Sequence, residues 1–338
     1  MDLGALFGSF DSFASFTVGG LVFGAIYALI ALGYTMVYGV LQLINFAHSE
    51  VFMYGTFAVA WTFIFFHGTS SATWSLGKAA PLLLVALVAA MVLSAAIALL
   101  LERVAYRPLI KKNAPKLIAL ISAIGASFAL AEAMGLRDHF AKRFGLDDNL
   151  KNYVSPDKAR DVFTNPVDIL PHDLFHIGGY AVSDVDLLII VAALVMMVAL
   201  DQIVRRTKFG RGIRATAQDP ESAALMGVNS TRVVQGTFLI GGLMAGAAAT
   251  LYMIKIGSTR QDAGFLLGVK AFTAAVMGGI GNLRGALLGG LLLGVMENWG
   301  AAVFGSQWRD VVAFVLLVLI LLVRPSGLLG ESLGKARA

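Results

Sequence analysis

Long apolar runs broken by short polar patches dominate the chain. Nine windows stay apolar on all sides for close to the roughly 20 residues that a helix needs to cross a bilayer core. They cover residues 16–38, 46–66, 80–101, 117–134, 187–204, 233–254, 264–281, 285–304 and 311–323. A helix packed in a soluble protein keeps a polar face, and these do not, so the pattern predicts membrane helices. The last window is short and the seventh carries Lys270, which leaves eight or nine spans open. The predicted fold is all-α: a single polytopic membrane domain over residues 1–338 with about 8–9 transmembrane helices. The first fifteen residues hold Asp2 and Asp11 and no Lys or Arg, unlike a secretory leader, so the first run is expected to stay in the protein.

Composition narrows the classes. Of 338 residues 58% are hydrophobic and 14% charged, against roughly 25% charged in soluble domains. Disordered tails, disulfide scaffolds and nucleic-acid modules are excluded, and with no cysteine there are no cysteine metal sites. The net charge of +5 follows from loop basicity. With nine spans, one side collects Arg103, Arg107, Lys111, Lys112 and Lys116, then Arg205, Arg206, Lys208, Arg211, Arg214 and Arg232, then Arg284, Arg324, Lys335 and Arg337. The other short loops hold only Lys78, Lys255, Arg260 and Arg309. Fifteen cations against four place the first set in the cytoplasm, the N-terminus outside and the C-terminus inside. Residues 137–186, with Pro156, Pro166 and Pro171, are then expected to form an extracytoplasmic loop or small cap, or a surface that meets an extracellular partner.

Polar groups interrupt the apolar pattern at a few places. Asn45, His48, Ser49 and Glu50 stand between two hydrophobic helices, just before apolar character resumes at Val51. Two readings remain open: a pathway or gating role, or a tight turn in which Asn45 or Ser49 caps the next helix and Glu50 complements its dipole. Lys270 and Glu297 are either path residues or charges that snorkel to the interface. Tyr27, Tyr34, Ser122, Ser127, Glu132, Thr273 and Asn298 read as interhelical hydrogen-bond partners. Gly24, Gly33 and Gly39, and later Gly278, Gly279, Gly281, Gly285, Gly289, Gly290 and Gly294, mark close helix packing or a broken transport helix.

No catalytic constellation emerges. The chain lacks a P-loop, an HExxH pair and a GxSxG elbow, and the glycines near 279–285 have the wrong spacing for a dinucleotide fingerprint. His172 and His176 are spaced to share a helical face, without further metal ligands nearby.

Residues 205–232 form the cytoplasmic loop. Within it Asp219, Pro220 and Glu221 read as a helix start, with Ala223 and Ala224 in a short body and Gly227 as the stop. Such a helix is what a groove on a partner can grip. This loop, together with residues 24–33, 44–50, 268–281 and 285–290, resembles the permease subunits of branched-chain amino acid ABC importers, the LivH type. The resemblance implies a heterodimeric pore with a paralogous permease subunit, two ATPase subunits that hold ATP and Mg, and an extracytoplasmic solute-binding protein. It also implies that residues 219–227 are the coupling helix, that this chain carries no cofactor, catalytic residue or metal, and that it sits in the inner membrane. Asn45, His48, Glu50, Lys270 and Glu297 are the candidates for the path. Ser49 stands where the family usually has glycine, and residues 137–186 are longer than is common. A stand-alone ion-coupled transporter using Glu132, Glu297 or Lys270, a urea or amide importer of the same family, and a membrane-embedded enzyme stay as alternatives.

Overall fold

The fold is described from a computed structural model, which covers residues 6, 8–112, 114–146, 152–153, 160–324 and 326–330. Asp2, Pro156, Lys335 and Arg337 lie outside the described residues.

Thirteen helices and six short strands follow one another among the described residues: α1 (Phe10–Leu41), α2 (His48–His67), β1 (Ala72–Ser75), α3 (Leu76–Leu101), α4 (Arg107–Lys111), α5 (Lys116–Gly135), α6 (Arg137–Arg143), β2 (Phe163–Thr164), β3 (Val167–Leu170), β4 (Asp173–Ile177), β5 (Tyr180–Ser183), α7 (Asp184–Arg206), α8 (Lys208–Gln218), α9 (Pro220–Leu225), α10 (Ser230–Ile256), β6 (Ser258–Thr259), α11 (Ala263–Gly278), α12 (Leu283–Phe304) and α13 (Arg309–Val323). Eight helical stretches are long and apolar enough to cross a membrane, and the seventh window becomes α11, a shorter helix of 16 residues. A π-helical turn, Glu102–Tyr106, joins α3 to α4, so that Leu76–Lys111 runs as one span. Pro108 supplies the reason: without an N–H it cannot bond back to Val104, and the ladder widens just before it, where Arg107 N–H reaches the Glu102 carbonyl.

The chain divides into two compact units. The first comprises Met1–Gln42, His172–Thr237 and Val269–Ala338. Its centre is a seam between α1 and α12 that only glycine permits: a Cβ on Gly20 or Gly24 would stand 2.7 Å from backbone atoms of Val295 or Gly290, and one on Gly294 2.3 Å from the Gly20 carbonyl. Small residues let the two backbones touch, which is how membrane helices gain contact when lipid is as apolar as leucine. The antiparallel β4–β5 hairpin lies against the start of α1 through Gly178 and Gly179, which face Asp11, Ala14 and Ser15. His172 and His176 therefore lie in and beside a strand, not on a helix face, because Gly178 and Gly179 make a hairpin turn. No cluster of metal-ligating side chains occurs among the described residues. Ser183 caps α7 in a reciprocal box with Asp186, and the Tyr180 hydroxyl donates to the same carboxylate at 3.0 Å. Burial and that negative charge hold the Tyr180 phenol well above its ordinary pKa.

The second unit comprises Leu43–Pro171 and Phe238–Gly268. Here α3 packs on α10 at Gly242 and Gly246, whose missing side chains leave room for backbone at Ala90, Met91 and Ala95. Ser94 Oγ donates to the Val51 carbonyl at 2.9 Å, tying α3 to α2, and Tyr54 does the same to Leu130 of α5 at 3.1 Å. Two short ladders close one end, parallel between β1 and β3 and antiparallel between β2 and β6. Both units thus contain a glycine seam between a helix from early in the chain and one from late in it. Of the glycines singled out in the sequence, Gly24, Gly290 and Gly294 mark the first seam, whereas Gly242 and Gly246 of the second were not among them and Gly39 packs on nothing.

Candidate functional site

Three groups of residues carry chemistry. In the second unit the polar residues between α1 and α2 are buried rather than exposed at a turn. The N-cap position of α2 is Ala47, which offers no side-chain cap, so neither Asn45 nor Ser49 plays the capping part that the turn reading gave them. Asn45 Oδ1 instead accepts from the Tyr106 hydroxyl at 2.9 Å, and Ser49 Oγ donates to the Phe46 carbonyl at 2.7 Å. The π turn explains how Tyr106 arrives there: it is buried, with its ring 5.1 Å from that of Phe238. His48 opens α2 and is buried beside them.

Glu50 is the most unusual of this group. Its side chain is buried in the first turn of α2, and Oε1 accepts from Ser127 Oγ at 3.1 Å. Oε2 has no hydrogen-bond partner and lies against the first turn of α11, where a Cβ on Gly264 would meet it at 2.6 Å. The carboxylate is thus held where the first turns of two helices, α2 and α11, meet. Ser127, read as a hydrogen-bond partner from the sequence, holds that place here.

In the first unit Lys270 and Glu297 come together. Lys270 Nζ lies 2.6 Å from Glu297 Oε1 and 2.7 Å from Asp310 Oδ1. Arg309 donates to Asn298 Oδ1 at 2.9 Å and lies 3.9 Å from Glu297, while the Tyr27 ring lies 5.7 Å from Lys270 Nζ. Lys270 and Glu297 are both buried and share a direct ion pair, with Glu297 Oε2 left without a hydrogen-bond partner. Asp310 was passed over in the sequence and Arg309 counted only as a loop cation, since they sit at a helix start, where polar residues are ordinary. Glu132, by contrast, pairs at an exposed site with Arg160 at 2.6 Å.

The third group lies in the basic loop between α7 and α10. The sequence suggested one short helix; there are two. Thr207 caps α8 through the Gly210 amide, and α8 buries Gly210, Gly212, Ile213 and Thr216. The two glycines permit this, since a Cβ on Gly210 would collide with the Val204 carbonyl. Asp219 then caps α9, accepting from the amides of Glu221 at 3.0 Å and Ser222 at 3.3 Å, with Pro220 at the first position. Gly227 follows at φ +85, a left-handed stop that suits glycine. Ala223 turns inward and is buried, leaving Glu221, Ala224, Leu225 and Met226 exposed, the last two at 89% and 86%. Two apolar side chains presented this openly on a charged loop are the strongest mark of a docking surface here.

The Asp219 carboxylate is held below its ordinary pKa, first by the Ser222 hydroxyl and then by the Ser222 and Glu221 amides. A depressed carboxylate stabilises the fold above its unfolded pKa and loses that contribution as pH falls through the lowered value. The cap is therefore intact at neutral pH. Asp219→Ala is expected to speed amide exchange at Glu221 and Ser222, whereas Asp219→Asn keeps an acceptor and leaves it close to wild type. Equal exchange in the two variants would remove the cap from the account.

Comparison with known proteins fits this arrangement. A family model described as branched-chain amino acid transport system, permease component, matches residues 16–321. The chain belongs to this family. It is similar to the high-affinity branched-chain amino acid transport system permease protein BraD of Pseudomonas aeruginosa, 42% identical over 93% of this chain and 94% of that one. It is also similar to LivH of Escherichia coli K12, 40% identical over 92% and 94%. A probable LivH of Methanocaldococcus jannaschii is 26% identical over 92% and 91%. As a branched-chain permease component the chain is a multi-pass membrane transport protein.

Proposed function

We propose that this chain forms part of the translocation path of an ATP-driven importer for branched-chain or related hydrophobic amino acids in the inner membrane, with its N-terminus outside and its C-terminus in the cytoplasm. ATP and Mg belong to two partner ATPase subunits, a paralogous permease subunit completes the pore, and an extracytoplasmic solute-binding protein delivers the substrate. No cofactor, metal or catalytic residue is assigned to this chain, and no nucleic-acid partner; lipid is its solvent.

The observation that carries the coupling half of this reading is α9: a capped, glycine-stopped helix with Glu221, Ala224, Leu225 and Met226 exposed on a basic loop. An ion-coupled carrier has no need of such a helix. Closure of the ATPase dimer would draw on residues 219–227 and move the attached helices as rigid bodies, giving alternating access. Asn45, His48 and Glu50 are the residues we assign to the path. Lys270 and Glu297, paired with each other and with Asp310, hold helices of the first unit together.

The test is purification from native membranes in mild detergent with identification of the co-purifying chains. Two kinds of chain, an ATPase and a second permease, are expected with this one, and reconstituted uptake of leucine should stop on ATP depletion. Uptake that persists without ATP while an ion gradient stands would make it a secondary carrier.

A further inference from the structure

The last described residues, 326–330, do not trail away from α13. They lie along the elbow between α11 and α12. Leu328 N–H donates to the Met277 carbonyl at 2.8 Å and Leu329 N–H to the Gly278 carbonyl at 2.9 Å. Those two carbonyls end α11, where no further helical turn can satisfy them. A bond runs back the other way: Asn282 Nδ2 donates to the Leu329 carbonyl at 2.9 Å. Oδ1 of the same amide caps α12, accepting from the amides of Arg284 at 3.1 Å and Gly285 at 3.2 Å.

The fit is one of backbone against backbone. A Cβ on Gly327 would stand 2.4 Å from Gly279 N and 2.6 Å from the Val276 carbonyl, and a Cβ on Gly279 would stand 2.4 Å from Gly330 N. Gly327 is buried, with φ +77, and Gly279 has φ +106, so both positions need glycine twice over, for space and for conformation. The side chains of Leu328 and Leu329 are exposed, so the seat is held through the main chain.

We propose that residues 326–330 are a clasp acting in cis, seated on the α11–α12 elbow, and that coupled transport requires the seat to be filled. The elbow has two left-handed glycines, Gly279 and Gly281, and the Gly279 N–H turns back to the Ala275 and Val276 carbonyls, which leaves those of Met277 and Gly278 to the clasp. The clasp supplies the missing donors and fixes the angle at which α12 leaves. That angle matters because α11 and α12 touch directly, with Gly278, Gly285 and Gly289 leaving no room for side chains. The transport half of the proposal rests on the importer reading; the seating does not.

Two variants test it in the complete importer reconstituted in lipid. Asn282→Asp keeps an acceptor to cap α12 but loses the donor to Leu329 and sets a carboxylate against that carbonyl. Gly327→Ala closes the gap over Gly279. Amide exchange over residues 277–285 and 328–329 should rise at least tenfold in both, and ATP hydrolysed per leucine taken up should rise at least threefold. A merely structural role would lower the amount of assembled complex and leave that ratio alone. Unchanged exchange in both variants overturns the clasp. Raised exchange with an unchanged ratio overturns its part in transport, and a wild-type complex that takes up no leucine overturns the importer reading while the exchange result still judges the seat.

Discussion

Glu221→Arg combined with Ala224→Arg is expected to strip the ATPase subunits from the purified complex and bring ATP-driven leucine uptake to background. Both positions are exposed on α9, one turn apart, and neither side chain takes part in the cap or in the buried contact of Ala223. Arginine is a good helix former, so the helix itself should persist. What changes is the face offered to a partner: an acid and a methyl are replaced by two cations beside Leu225 and Met226. Charges pressed into a groove without partners cost about 2–5 kcal/mol, roughly 30-fold to several thousand-fold in affinity. Unchanged amide exchange at Ser222 would certify the helix, and ATPase retained at wild-type level with the helix intact would end the coupling reading of residues 219–227.

How far the sequence revealed this protein follows from what its signals are made of. Spans were legible because burial in lipid demands apolar residues on all sides, a signal that accumulates over 20 positions. Their ends were less so: α1 begins at Phe10, earlier than the apolar window, because Ser9 caps a turn that contains Asp11. The start of α9 was readable residue by residue, since a cap, a proline and a glycine stop are local chemistry. Helix α8 was not, because its two glycines look like breakers until one sees the Val204 carbonyl against which Gly210 packs. Pairings were hidden as well. Asn45 and Tyr106 stand 61 residues apart and meet through a π turn, and Glu50 finds Ser127 across 77. The partner of residues 326–330 was equally invisible, since a clasp made of backbone bonds leaves only glycines and an asparagine in the sequence.

The second large effect concerns Lys270. Replacing it by Met leaves the buried Glu297 carboxylate and the half-exposed Asp310 without their shared ammonium group. Breaking a buried pair on one side costs about 3–5 kcal/mol, more than losing the pair altogether, because the remaining charge keeps its desolvation penalty. The local consequence falls on α13, which buries only Ala313 and enters the unit through Arg309 and Asp310. Lys270→Met should therefore lower the midpoint of unfolding in detergent and loosen α13, seen as faster proteolysis after residue 305. The double variant Lys270→Met with Glu297→Met removes one charge of each sign and leaves Arg309 and Asp310, also one of each. It should recover more than half of the loss, a coupling of about 2 kcal/mol within the range for residues in one network. Additive losses in the double variant would mean that the two side chains stabilise the helices independently. A single variant as stable as wild type would mean that α13 is held by lipid or by a partner chain, with the ion cluster free for a part in transport.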